Sequence, residues 1–220
     1  MMYHNRGHAG RVLAGLLGHL KGRPLVVVGL PRGGVEVGYE VASALEAPLE
    51  VLLVRKLGVP FQPELAMGAI GEGGIRILDR KRIKRLGIPS SEIEQVEQQE
   101  RQELARQAEH FRGGHEAAGL EGRTAVIVDD GIATGSTALA ACPIASNLGA
   151  DQVIVAAPVG PREAFDRFRE VADQVVIAQT PKSFLAIGMF YRDFAPTPDK
   201  IVIDLLNRRR EELSQSRFPE

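Results

Sequence analysis

The chain has 220 residues, of which 44% are hydrophobic and 25% charged, and these proportions exclude a wholly disordered protein. Its 27 Lys and Arg residues nearly balance its 28 Asp and Glu residues, and the resulting net charge of -1 argues against binding to extended nucleic acid or to an anionic membrane. A single cysteine excludes an internal disulfide, and no apolar run reaches the roughly 18 residues of a membrane span, so we expect a cytoplasmic protein.

Short apolar runs rich in β-branched residues recur along the chain and predict strands. They are continuous rather than alternating, which is typical of strands buried on both faces of a parallel sheet. Helix-length segments at residues 35–45, 137–148 and 162–171 lie between them. We therefore predict an α/β fold with a doubly wound, mainly parallel sheet and flanking helices. The predicted strands are residues 25–28, 51–54, 75–78, 125–128, 153–157 and 175–178.

Residues 89–111 interrupt this alternation with one long, polar helix. Ser91 and Glu94 have the spacing of a capping box, and Glu97 and Arg101 form a favourable i,i+4 pair. At ~1.5 Å per residue the helix is about 30 Å long, which is too long and too polar for an ordinary crossover on a sheet. We expect it to be an insertion that stands off the core.

The whole chain is predicted to form a single domain, residues 1–220. The sheet and its helices are expected to occupy about residues 22–71 and 115–180. The helical insertion takes up about residues 72–114, and a C-terminal hood about residues 181–220.

The most informative stretch follows the predicted strand at residues 125–128. Asp129 and Asp130 end the strand, and a loop rich in Gly, Thr and Ser leads into the next helix. Free N–H groups and a positive dipole end make such a helix start an anion site, and the hydroxyl groups add donors. The predicted phosphate-binding residues are Gly131, Ile132, Ala133, Thr134, Gly135, Ser136 and Thr137.

Spacing excludes two familiar phosphate loops at this stretch. A P-loop places a lysine directly after its second glycine, whereas Ser136 follows Gly135 here. A dinucleotide-binding fold places its acidic ribose ligand about 20 residues after the glycine loop, whereas here the acids precede it. Two carboxylates beside a phosphate loop suit a ribose 5′-phosphate, with Asp129 and Asp130 accepting hydrogen bonds from the 2′- and 3′-hydroxyls.

Residues 126–137 resemble the phosphoribosyl pyrophosphate (PRPP) motif of the type I phosphoribosyltransferases. Pro31, Arg32, Gly33 and Gly34 follow the first strand and resemble the pyrophosphate loop of that family. A basic pair follows the second strand, as in the adenine and orotate enzymes; it consists of Arg55 and Lys56. The resemblance covers roughly residues 24–180. Residues 182–194 are similar to a group of bacterial phosphoribosyltransferase-like proteins of undefined base specificity.

The resemblance implies transfer of the phosphoribosyl group of PRPP to a nitrogenous base, with release of pyrophosphate, in nucleotide salvage or synthesis. It implies catalytic roles for Asp129, Asp130, Arg32 and Lys56. It also implies a homodimer and a Mg²⁺ ion, which bridges phosphate oxygens and keeps several waters, so that PRPP rather than a protein cage would hold it. The implied pyrophosphate-binding residues are Pro31, Arg32, Gly33, Gly34, Arg55 and Lys56.

Base specificity and turnover stay open at this point. Ala133 stands where the hypoxanthine-guanine enzymes have an acid near the purine, and in this respect the chain is nearer to the adenine enzymes. Phe184, Phe190 and Tyr191 either stack on a base or form the core of the hood. Two alternatives to a base transferase are a PRPP-binding regulator without turnover, and an enzyme that hydrolyses PRPP or acts on a modified base or partner.

Overall fold

The computed structural model describes residues 1–216. Two sheets and seven α-helices alternate along this part of the chain, with 3₁₀ turns at Gly18–Leu20 and Ile187–Phe190. The elements are α1 (Arg6–Leu17), β1 (Leu25–Gly29), α2 (Gly33–Leu45), β2 (Leu49–Val51), β3 (Val54–Val59), β4 (Gln62–Gly71), β5 (Arg76–Leu78), α3 (Arg80–Leu86), α4 (Ser90–Arg112), β6 (Thr124–Val128), α5 (Ser136–Asn147), β7 (Gln152–Val159), α6 (Ala164–Phe168), β8 (Gln174–Gln179) and α7 (Asp199–Ser216).

The larger sheet has five strands in the order β2-β1-β6-β7-β8, and every neighbouring pair is parallel. Alternate residues of each strand face opposite sides. Val27, Val126 and Ile154 pack with α1, α2 and α7 in one buried cluster, and Val28 and Ile127 pack with α5 in a second. The predicted fold class is therefore confirmed, because a parallel sheet is covered by helices on both faces.

The smaller sheet is antiparallel, with the order β3-β4-β5. The prediction of one strand at residues 51–54 is wrong, because the chain leaves the parallel sheet at Val51 and starts β3 at Val54. The assignment of residues 75–78 to the parallel sheet is also wrong. Arg76, Ile77 and Leu78 pair with β4, and none of the three is fully buried.

The long polar helix is present as α4, close to the predicted bounds, but it does not stand off the core. Ile93, Leu104 and Phe111 are buried in the same cluster as the strands of the parallel sheet, and α4 contacts both β3 and α7. The capping box does not form, because Pro89 occupies the N-cap position and no side chain caps the helix. A narrow apolar stripe is therefore enough to bury one face of an otherwise polar helix.

Within residues 1–216, no helix combines the length and apolar character needed to cross a membrane.

A buried ionic cluster fixes the end of α4. The Arg112 guanidinium donates to Glu50 Oε1 at 2.9 Å and to both carboxylate oxygens of Glu72. Glu50 also accepts hydrogen bonds from the N–H groups of Val51 and Ala118. Burial alone would lower the pKa of Arg112, but the two carboxylates hold it above its usual value. The cluster therefore joins α4 to the ends of β2 and β4.

The N-terminal segment pairs with the segment that follows β8. The Tyr3 N–H donates to the Phe190 carbonyl at 2.8 Å, and Tyr3 forms a parallel bridge with Tyr191. Both tyrosines are buried, together with Val159 at the end of β7. Residues 217–220 of the predicted hood lie outside the described residues. The boundaries of core, insertion and hood stay a prediction.

Candidate active site

Two loops that the sequence predicts to bind ligand lie side by side at one edge of the parallel sheet. Gly29 of β1 is paired with Val128 of β6, so the loops that follow these two strand ends are neighbours. A Cβ on Gly34 would lie 2.5 Å from the Val128 carbonyl oxygen and 3.0 Å from Asp129 Cα. Only glycine allows this approach, because no real side chain tolerates backbone atoms so near.

Asp130 is held by a residue that the sequence analysis missed. Its Oδ2 accepts a hydrogen bond from Arg6 Nε at 2.8 Å, and its carbonyl oxygen accepts one from the Tyr191 hydroxyl at 2.6 Å. Arg6 is only 7% exposed. It lies in a polar N-terminal segment without a motif, so no sequence signal marked it. The first helical turn after the chain start thus reaches the predicted ribose site.

Asp129 and Asp130 differ in their electrostatic surroundings. Burial and the neighbouring Asp130 charge raise the pKa of Asp129 to about 7, although a hydrogen bond from the Asp130 N–H and the charge of Arg6 act in the opposite direction. Burial also raises the pKa of Asp130, but the direct ion pair with Arg6 works against the rise. The two adjacent carboxylates are therefore unequal, and Asp129 is the one that changes charge near neutral pH.

The predicted phosphate loop runs from β6 into α5 and is partly open. Gly131 and Ile132 are buried, and a Cβ on Gly131 would lie 2.6 Å from Ile187 Cγ2, so the segment after β8 covers the start of the loop. Gly135 has a φ of 71° and is the N-cap residue of α5. Four members of the predicted phosphate loop are exposed to solvent, Ala133, Thr134, Ser136 and Thr137, and Gly135 is half-buried.

Lys56 faces the start of α5 across a cleft. The cleft has a volume of about 510 Å³, and its lining includes Lys56, Ser136 and Thr137. Lys56 Nζ lies 3.3 Å from Glu64 Oε2, and both side chains are exposed. Lys56 belongs to strand β3 rather than to a loop after the second strand, which corrects its predicted setting. The structure thus places a lysine and the hydroxyl-bearing helix start on one cleft.

The other two predicted basic residues have acidic partners. Arg55 precedes Lys56 in β3 and lies against α4, where its Nη2 is 2.7 Å from Glu100 Oε2. Because adjacent residues in a strand face opposite sides, Arg55 does not share the cleft of Lys56. Arg32 is exposed, and its Nη1 lies 3.5 Å from Asp199 Oδ1. The peptide bond between Pro31 and Arg32 is cis.

The three predicted base-stacking aromatics pack inside the segment after β8. Phe184 and Phe190 stack on one another, with ring centroids 5.6 Å apart and an interplanar angle of 11°. Tyr191 is buried and stacks on Phe194 at 4.9 Å. In this arrangement the rings form a small apolar core, which is the second of the two roles that the sequence left open.

Titration of Asp129 predicts a pH-dependent stability. The folded protein keeps the Asp129 proton up to about pH 7, whereas the unfolded chain loses it near 3.8. Between pH 3.8 and about 7 the folded state therefore binds more protons than the unfolded state does. The free energy of unfolding falls as the pH rises through this range, and Asp129 contributes up to about 1.4 kcal/mol per pH unit. We expect Asp129→Asn to remove this slope in urea unfolding at pH 5, 6, 7 and 8. Parallel profiles for the two proteins would contradict the assignment.

The chain matches known proteins over most of its length. The family model described as phosphoribosyl transferase domain matches residues 3–187. Two curated proteins of Mycobacterium tuberculosis, from strains CDC 1551 / Oshkosh and ATCC 25618 / H37Rv, are each 50% identical over 215 residues and carry provisional phosphoribosyl transferase names. These matches cover 98% of this chain but 48% of each relative, so the chain spans about half their length. The crystal structure of TT1426 from Thermus thermophilus superposes with a TM-score of 0.85 at 40% identity, covering 94% of this chain and 99% of that one.

Proposed function

The chain belongs to the phosphoribosyl transferase domain family, and on that premise we propose that it is a Mg²⁺-dependent phosphoribosyltransferase. It would move the phosphoribosyl group of PRPP to a nitrogenous base and release pyrophosphate. The observation that carries this proposal is the contact between the start of α2, which follows β1, and the end of β6 with its acidic loop, where Gly34 packs on Val128 and Asp129. This contact brings a predicted pyrophosphate loop and a predicted ribose 5-phosphate loop to one edge of the sheet.

Each part of PRPP has a counterpart in the proposed site. Asp129 and Asp130 accept hydrogen bonds from the ribose hydroxyls. The 5′-phosphate binds at the start of α5, where Ser136 and Thr137 add hydroxyl donors to the backbone N–H groups. The pyrophosphate binds along the loop after β1 and receives positive charge from Lys56. The predicted residues are Pro31 and Arg32 in the loop and Gly33 and Gly34 at the start of α2.

The reaction needs alignment more than covalent chemistry. A base nitrogen forms a bond to C1′ as the bond from C1′ to the pyrophosphate oxygen breaks. Pyrophosphate takes the electron pair, and the base nitrogen releases its proton to solvent. Negative charge grows on the leaving oxygen, so a nearby lysine and N–H donors stabilise the transition state. Asp129, half-buried and titrating near neutral pH, is placed to hold a proton or a hydroxyl hydrogen at its carboxylate.

The residues at the site fit a Mg²⁺ ion that is bound mainly by the ligand. Within residues 1–216, no group of three or more His, Cys, Asp and Glu side chains is arranged to hold a metal. Two adjacent carboxylates, Asp129 and Asp130, match an ion that takes one or two protein ligands and fills its remaining positions with phosphate oxygens and water. When bound, Mg²⁺ neutralises charge on the pyrophosphate oxygens.

A PRPP-binding regulator without turnover is the second candidate function. It is favoured by the pairing of Arg32 with Asp199 and of Arg55 with Glu100, because these pairs occupy two of the three basic side chains predicted for pyrophosphate. A homodimer and a role in nucleotide metabolism follow from the family resemblance and belong to the proposal. A cytoplasmic location is proposed from the single cysteine and from the sequence's lack of an apolar run long enough to span a membrane.

One assay separates these functions. The protein is incubated with PRPP and Mg²⁺, and purines, pyrimidines and other nitrogen nucleophiles are added one at a time. We expect pyrophosphate to be released from PRPP only when one of these nucleophiles is present. Release without any base would indicate hydrolysis, and PRPP binding without release would select the regulator. Failure to bind PRPP would overturn the proposal.

A matched pair of lysine variants locates the activity in the cleft. Lys56→Gln is expected to weaken PRPP binding by about tenfold, because one charge-assisted contact to phosphate is lost. Lys21→Gln removes an exposed lysine that pairs with Glu46 outside the cleft, and it should leave binding unchanged. Equal affinities for the two variants would contradict the placement of pyrophosphate beside Lys56.

A further inference from the structure

Arg6 contacts three segments that surround the proposed ligand site. Its Nε donates to Asp130 Oδ2 at 2.8 Å, and its Nη1 donates to the Ala195 carbonyl at 2.7 Å. The same Nη1 lies 3.8 Å from Glu36 in the first turn of α2, and the guanidinium sits 4.1 Å from the centre of the Phe194 ring. The acidic loop, the segment after β8 and the start of α2 therefore meet at one buried side chain.

The ion pair between Arg6 and Asp130 lies against the backbone of Gly33, the first residue of α2. A Cβ on Gly33 would overlap Asp130 Oδ2 and would lie 2.7 Å from Arg6 Nε. The pair therefore occupies the space next to the backbone at Gly33, which belongs to the predicted pyrophosphate loop. This closeness means that a movement of the Asp130 carboxylate would disturb both halves of the site.

The side chain of Asp130 is 14% exposed, and its ion pair with Arg6 uses one of the two carboxylate oxygens. Arg6 takes Oδ2, and its charge offsets the repulsion between Asp130 and Asp129 in a half-buried position.

We propose that Arg6 is a positioning residue that holds the Asp130 carboxylate in a fixed orientation, so that its second oxygen accepts a ribose hydroxyl of PRPP. This inference rests on the proposed function, because it assigns the ribose of PRPP to Asp130. Arg6 itself does not contact the reacting atoms; it acts through Asp130. A lysine at position 6 would keep the charge and one donor, but it would lose the planar fork that also reaches Ala195.

A double-mutant cycle on PRPP affinity tests this role. We expect Arg6→Gln to raise the dissociation constant of PRPP, measured by calorimetry with Mg²⁺, by about 10- to 100-fold. In an Asp130→Asn background the same substitution should have an effect of less than about twofold, because Arg6 acts through the charge of Asp130. Arg6→Lys should recover most of the affinity. Arg11→Gln is the matched control, since Arg11 lies on the same helix in an exposed pair with Glu40.

The outcomes separate a positioning role from a structural one. An equal loss of affinity from Arg6→Gln in both backgrounds would overturn the inference, because it would assign the effect to the contacts with Ala195 and Phe194. Unchanged affinity in the single variant would also overturn it. If the unaltered protein does not bind PRPP, the proposed function fails and the inference fails with it. Thermal unfolding of each variant verifies that the affinities refer to folded protein.

Discussion

Replacing Arg112 by methionine is expected to lower the free energy of unfolding by about 3–5 kcal/mol. Arg112 and Glu50 are both buried, at 7% and 4% exposure, and the substitution leaves the Glu50 carboxylate without its counter-charge. Glu72 loses its partner as well. Such a loss is a large share of the roughly 5–15 kcal/mol that stabilises a typical domain. Urea unfolding followed by circular dichroism measures it.

Arg106 provides the control on the same helix. It pairs with Glu103 at 2.7 Å, but its side chain is 68% exposed, so Arg106→Met should change the free energy of unfolding by less than about 1 kcal/mol. Adding Glu50→Gln to Arg112→Met should restore part of the lost stability, because it removes the stranded charge. A cost below about 1 kcal/mol for Arg112→Met alone would show that water or another group compensates Glu50.

The parallel sheet could be predicted from the sequence because its strands are buried on both faces. All five residues of β1 and of β6 are buried, and this leaves a continuous apolar run that few other structures produce. The smaller sheet leaves no such signal. β4 begins with the exposed residues Gln62, Pro63 and Glu64, and its partner β5 is only three residues long. A strand with a polar start is therefore hard to distinguish from a loop.

The error about α4 has a different origin. Ile93, Leu104 and Phe111 lie along one apolar stripe of an otherwise polar helix, and the sequence of the helix does not show how much apolar surface elsewhere can cover that stripe. The partners come from β3 and from α7, which are far away in the sequence. Glu100, which weakens the stripe, pairs with Arg55 on β3 and so helps to fix the helix on the smaller sheet.

Part of the candidate site could also be predicted from consecutive residues, whereas another part depends on a contact between residues far apart in the sequence. The acidic loop at Asp129 and Asp130 could be found because strand, acids, glycines and helix start are consecutive in the sequence. Arg6 could not, because its meeting with Asp130 depends on how α1 packs beside α2. A lone arginine near the chain start has many possible roles, and only its burial in the structure singles it out.

Replacing Gly34 by alanine is expected to damage the site and the fold together. The added Cβ would press on the Val128 carbonyl oxygen and on Asp129 Cα, which are backbone atoms at the buried end of β6. That carbonyl also accepts the Leu30 N–H at 2.9 Å, so the junction cannot yield without loss of a hydrogen bond between the two loops. We expect a destabilisation of about 1–3 kcal/mol. We also expect pyrophosphate release to fall about 100-fold, because the two halves of the site shift apart.

Gly15→Ala is the matched control for this substitution. Gly15 lies inside α1, where a Cβ would meet nothing within 4 Å, so alanine should stabilise the protein by about 0.5–1 kcal/mol and leave activity unchanged. If Gly34→Ala lowers stability but spares turnover, the contact between the loops is structural only. If Gly34→Ala changes neither stability nor turnover, a Cβ at position 34 fits without displacing Val128 and Asp129, and the close contact described here is contradicted. A loss of turnover in Gly34→Ala protein that is still folded, absent from Gly15→Ala, is the result expected if substrate binds where the start of α2 meets the end of β6.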